Sequence, residues 1–146
     1  MVSSKTAGKT PAQRLRDAAS SGNLDELTGL VRAGVSVNSR DASNNTALLY
    51  AALHGKRECV RFLIENGADV NIANSTGYTP LICAAKIGDY ESVKMLLEAG
   101  AETWRTLKEE DGSQSETERT AHSLAKYRGH SQIVELLESI RSLQPA

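Results

Sequence analysis

Aromatic side chains are scarce in this chain of 146 residues: one Trp, four Tyr and one Phe. So few rings cannot form a platform on which nucleobases stack. Neither charge sign is in excess, with 17 Lys plus Arg against 18 Asp plus Glu and a net charge of −1. The broad basic surface expected of a nucleic-acid binder is therefore missing. Cysteine occurs twice, at Cys59 and Cys83, too few for a disulfide framework or a zinc set. Both lie in apolar, helix-spaced stretches and read as reduced packing residues, which suits the cell interior. The longest apolar runs are only a few residues, so no bilayer span is expected. Met1 to Lys9 lacks the apolar core of a secretory signal. The expected compartment is the cytoplasm, with the nucleus as the second choice.

What is present is repetition. Gly22, Gly55 and Gly88 are spaced 33 residues apart, as are Gly34, Gly67 and Gly100. Asn38 and Asn71 keep the same interval, and so do Thr46 and Thr79. The stretch Thr46-Ala47-Leu48-Leu49-Tyr50-Ala51-Ala52 lies over Thr79-Pro80-Leu81-Ile82-Cys83-Ala84-Ala85. Glu65-Asn66-Gly67-Ala68-Asp69-Val70-Asn71 lies over Glu98-Ala99-Gly100-Ala101-Glu102-Thr103-Trp104. A fixed period of this size marks a repeat architecture.

One unit can be read physically. Thr79 is a good N-cap and Pro80 suits the first helical position. Leu81, Ala84 and Ala85 then share one helical face. Gly88 fits a left-handed helix end. Val93, Leu96 and Leu97 form the apolar stripe of a second helix, closed by Gly100. Asn44 stands where the third unit has Gly77, and Asn tolerates positive φ better than most residues.

These residues resemble the ankyrin repeat, in the Thr79-Pro80-Leu81 start, Ala84-Ala85, the Gly88 turn and the Gly67-Ala68-Asp69-Val70-Asn71 loop. The resemblance spans roughly residues 11–141. It implies an all-α fold, an α-solenoid of four repeats, each a helix-turn-helix plus a projecting hairpin loop, capped at both ends. The expected organisation is a disordered basic tail over 1–9 and a repeat domain over 10–146. The units run about 11–40, 41–73, 74–105 and 106–141. The first unit lacks the Thr-Pro start and opens with a helix from Gln13 to Ser20, with Arg14 and Arg16 as its polar capping side. The last closes with Thr120 to Ala125, Gly129-His130 and Ile133 to Leu137.

The period breaks once. Thr79 to Thr120 is 41 residues, so eight extra residues sit between Trp104 and Thr120. The extended loop, 105–119, is acidic, and Glu109, Glu110 and Asp111 lie in it. It reads as a tolerated insertion or as a finger that meets a basic patch on a partner. Trp104, in the place of Asn38 and Asn71, reads first as a plug beneath that loop and second as an exposed anchor.

No catalytic constellation is visible: no HExxH, no CxxC, no Gly-rich phosphate loop, no G-x-S-x-G. His54, His122 and His130 read as structural. Lys56, Arg57 and Arg61 read as a solvated helical face. No metal site and no cofactor are expected, and the chain is expected not to be an enzyme. The resemblance implies that a partner protein binds a concave face made of inner helices and hairpin tips, with no small-molecule substrate, nucleic acid or membrane involved. Carried over by position, that face holds Ser43, Asn45, Leu53, His54, Ser75, Thr76, Tyr78, Lys86, Ile87, Tyr127 and Arg128. Trp104, Glu109, Glu110 and Asp111 form a secondary candidate. Asn38 and Asn71 each follow a leucine by eight residues, a pattern that resembles asparagine hydroxylation sites in ankyrin proteins; a hydrogen-bonded turn Asn is the simpler reading. The resemblance thus implies an adaptor, scaffold or inhibitor, monomeric by itself. The alternative is a fragment or subunit of a larger assembly with a structural or self-association role.

Overall fold

The computed structural model describes residues 8–108 and 120–143. Among them are eight helices: α1 (Pro11–Ser21), α2 (Leu24–Arg32), α3 (Ala47–Leu53), α4 (Arg57–Glu65), α5 (Pro80–Ile87), α6 (Tyr90–Glu98), α7 (Ala121–Tyr127) and α8 (Ser131–Leu143). No strand occurs among the described residues. The helices form four antiparallel pairs. Inner helices α1, α3, α5 and α7 pack in series, and outer helices α2, α4, α6 and α8 form a second, more loosely joined layer.

Local chemistry starts each inner helix. The hydroxyls of Thr46, Thr79 and Thr120 accept from the N–H groups of Leu49, Ile82 and Ser123 at 3.2, 3.2 and 3.1 Å. These bonds satisfy amides that a helix start leaves orphaned. The first unit corrects the reading of its sequence. α1 begins at Pro11 with Thr10 as its cap, and Gln13 completes a capping box from the third position. A Thr-Pro start is thus present, three residues upstream of the repeat register.

Packing follows from residue size. Leu15, Leu48 and Leu81 recur at one position of successive inner helices and are essentially inaccessible, as are Ala19, Ala52 and Ala85. Full burial of each leucine contributes about 1.5–3 kcal/mol, and the alanines let neighbouring helices approach closely. In the fourth unit His122 replaces that leucine, and Ser123 and Lys126 replace Ile82 and Ala85, the side that meets a following unit. Polar residues here give the stack a wettable end. At the other end Arg14 pairs with Glu26 at 3.1 Å. Arg16 does not share that polar side, as its sequence context suggested. It is buried and donates to the Ser39 hydroxyl at 3.3 Å.

Successive units are also bolted by polar contacts. Asp89, buried at the start of α6, accepts from Arg57 Nε at 2.7 Å and from the Ser92 hydroxyl at 2.7 Å. Lys56 lies over Gly22, Ile87 against Gly55, and the His130 ring over Gly88. The Lys56–Arg57 cluster, expected to be a solvated face, therefore joins neighbouring units.

Candidate functional site

Between the outer helix of one unit and the inner helix of the next, the chain projects a tight loop, called here a finger. The second finger closes through Asp41 N–H to Asn45 O at 3.1 Å, and the third through Asn74 N–H to Tyr78 O at 2.9 Å. Adjacent fingers bond edge to edge. Ser75 N–H donates to Ser43 O, and Lys108 N–H donates to Thr76 O, both at 2.9 Å. The second bond repeats the first one unit later, so the register holds through Lys108. The inserted residues therefore begin after Lys108, later than the sequence break alone placed them. Glu109, Glu110 and Asp111, with the rest of residues 109–119, lie outside the described residues. So does the tail up to residue 7.

Fingers and inner helices make up the face that the repeat resemblance selects. Leu53 and Ile87 are exposed to 36% and 41%, and Tyr127 to 70%. Large apolar side chains so exposed on a fold with a complete core are candidate contacts. His54 and Arg128, the counterparts of Ile87, are exposed as well. Ile87 leans back onto the turn at Gly55, so it lies at the edge where inner and outer helices join. Tyr78 and Lys86 are half-buried. The Lys86 Nζ lies 5.1 Å from the Tyr78 ring centroid and donates to the Tyr78 hydroxyl at 3.2 Å.

The finger residues divide into two kinds. Ser43, Ser75 and Thr76 are exposed. Asn45 is not a free tip residue. Its amide donates to Asp41 Oδ2 and to the Tyr50 hydroxyl at 3.3 Å each, and its Oδ1 accepts from Asn74 Nδ2 at 2.9 Å. It serves as a brace between fingers. The reading by position missed the other members of this network. The Tyr50 hydroxyl donates to Asp41 Oδ2 at 2.6 Å, and Asp41 Oδ1 accepts the N–H groups of Ser43 and Asn45 at 2.9 Å. Burial pushes the Asp41 carboxyl up, but these donors, led by Tyr50, outweigh it and hold the pKa below the usual value. The same bond to Asp41, with burial and the carboxylate charge, raises the Tyr50 phenol. Tyr50 stands where the next unit has Cys83, and that exchange was the signal available in the sequence.

Asn38 and Asn71 are structural bridges. The Asn38 amide donates to Gly67 O at 3.3 Å and its oxygen accepts from Asp69 N–H at 2.8 Å. Asn71 does the same to Gly100 O and Glu102 N–H at 3.2 and 2.8 Å. An enzyme acting on either side chain would have to break both bonds. Trp104 continues this row without a following loop to bridge. It is 66% exposed, so it is not a plug under any described residue, and the Arg105 guanidinium stands 4.9 Å from its ring centroid.

Of the histidines, His54 is exposed, His122 contacts Glu138 at 3.0 Å, and His130 contacts Lys86 O at 3.2 Å. Among the described residues no group of three His, Cys, Asp or Glu is placed to hold a metal ion. Both thiols are buried, and burial pushes Cys83 up to about 12. No described helix is long and apolar enough to cross a membrane.

The family description "Ankyrin repeats (3 copies)" matches residues 15–107, more than half of the chain. The chain belongs to the ankyrin-repeat family. The match covers the first three helical pairs of the ankyrin array, and α7–α8 continue the stack beyond it. No curated protein matches the chain. Ankyrin repeats are generally protein–protein interaction modules, and the fold is typically non-catalytic.

Proposed function

We propose that this ankyrin array is a non-catalytic recognition module that holds a partner protein in the groove between its fingers and inner helices. The observation that carries the reading is the run of exposed Leu53, Ile87 and Tyr127 at one end of three successive inner helices. The half-buried Tyr78–Lys86 pair lies beside them. Such a row presents apolar anchors flanked by hydrogen-bonding groups, the composition of an interface centre.

The mechanism is rigid display. The finger-to-finger bonds, the Asp41–Tyr50–Asn45–Asn74 network and the Asn38 and Asn71 bridges fix the groove in the free protein. Little ordering entropy is then lost on association. Adaptor, scaffold and inhibitor are all roles that such a surface fills. The protein acts as a monomer in a cytoplasmic or nuclear setting, and it needs no cofactor. A structural role within a larger assembly is the competing reading.

Affinity capture from source-cell lysate with wild type and with the double variant Ile87→Asp, Tyr127→Ala tests the proposal. A protein held by the wild type and lost by the variant supports the groove. Equal capture by both contradicts it. Self-association in sizing and light scattering would favour the assembly reading.

A further inference from the structure

The Asn38 and Asn71 bridges each tie one loop to the loop of the next unit, and among the described residues no third bridge follows. At that third position stands Trp104. The helix beside it also departs from the repeat. α8 has 13 residues where α2, α4 and α6 have 9. Its extra turn carries Arg141, in register with Gly100, into the space a further loop would take. Between these two departures lies a cavity of about 340 Å³, walled by Thr103, Trp104, Thr120, His122, Leu137 and Arg141.

Its chemistry is specific. The indole and Leu137 offer an apolar wall, and the indole leaves 66% of its surface in water. Arg105 stacks on the ring but is already paired with Glu102 at 2.5 Å. His122 Nε2 lies within hydrogen-bond distance of Glu138 Oε1, at 3.0 Å. Arg141 is the wall residue that carries a permanent positive charge, and among the described residues no carboxylate pairs with it. A planar guanidinium matches a carboxylate in a two-pronged geometry, and an exposed indole face that a partner covers is a strong anchor.

We propose that this cavity is a second binding site, for an acidic peptide segment of a partner protein. The segment's carboxylate pairs with Arg141 and its adjacent apolar side chain covers Trp104. The site uses no residue of the groove and does not rest on the groove reading.

Trp104 is the only tryptophan, so its emission reports the site directly. The probe is the capped peptide acetyl-Gly-Asp-Phe-Gly-amide, titrated into the millimolar range, with its Asn-for-Asp counterpart as control. Expected is a saturable change in tryptophan emission with the Asp peptide. The Asn peptide should bind about fivefold more weakly or worse, as should the Asp peptide to Arg141→Gln, checked for unchanged circular dichroism. Ile87→Asp should leave the titration unchanged. A parallel series on the variant Glu109→Gln, Glu110→Gln, Asp111→Asn, Glu116→Gln, Glu118→Gln removes competition from the loop's own acids. No saturable change in either protein, equal response to both peptides, or full binding by Arg141→Gln overturns the proposal.

Discussion

Replacing Gly77 with Ala should cost far more than the same change at Gly67, although both backbones are left-handed, with φ of +90 and +87°. An alanine in that region costs about 1–2 kcal/mol at either position. The neighbours differ. A Cβ at Gly67 meets nothing within 4 Å, whereas at Gly77 it meets Lys108 N and Thr106 O at 2.9 Å and Leu107 Cα at 3.0 Å. These are backbone atoms of the following finger and cannot rotate away. Relief requires that finger to move, which strains the 2.9 Å bond from Lys108 N–H to Thr76 O. Overpacking and a weakened backbone bond add about 2–3 kcal/mol, giving about 3–5 kcal/mol for Gly77→Ala. Urea denaturation of both variants, followed by circular dichroism, measures the difference. Equal losses would refute the claim that the fingers are in backbone contact.

Further outcomes follow from the titratable groups. The folded Asp41 carboxyl titrates below its ordinary 3.8. A depressed acid stabilises the fold fully above its unfolded pKa and loses that contribution as pH falls through the folded one. Asp41→Asn, the residue the next unit carries as Asn74, should therefore flatten the acid limb of stability against pH below about 4; identical acid limbs would contradict the network. Cys59 and Cys83 should resist thiol reagents in native protein and react only in denaturant, because burial raises both. Rapid native labelling of Cys83 would show that the inner layer opens.

The architecture is legible because each unit repeats a self-sufficient local code. Thr caps, turn glycines and the 3.6-residue apolar spacing act within a few residues and need no tertiary context. Asn44 illustrates this: it stands in the place of Gly77 and does adopt φ 64°. The errors fall where a residue's partner is distant in sequence or where the repeat ends. Arg16 looked like a surface cap because Ser39, 23 positions away, is not a neighbour in the sequence. Asn45 looked like a free tip because its brace to Asn74 spans 29 positions. α1 starts early because Thr10 and Gln13 form a capping box around Pro11, three residues ahead of the shared register. Positional carry-over expected Leu53, Ile87, Tyr78, Lys86 and Tyr127 at the surface, and each is exposed or half-buried. It missed Tyr50 and Asp41, whose pairing depends on the finger folding back over the inner helix.

The groove itself is tested most directly by where a captured partner touches. A photoreactive side chain placed at Leu53 or at Tyr127 should crosslink to the partner. The same group placed at Lys94 or Gln132 on the outer helices, both exposed, should leave it free. Adducts from the outer positions with none from Leu53 or Tyr127 would put the recognition surface on the opposite side of the array and contradict the assignment.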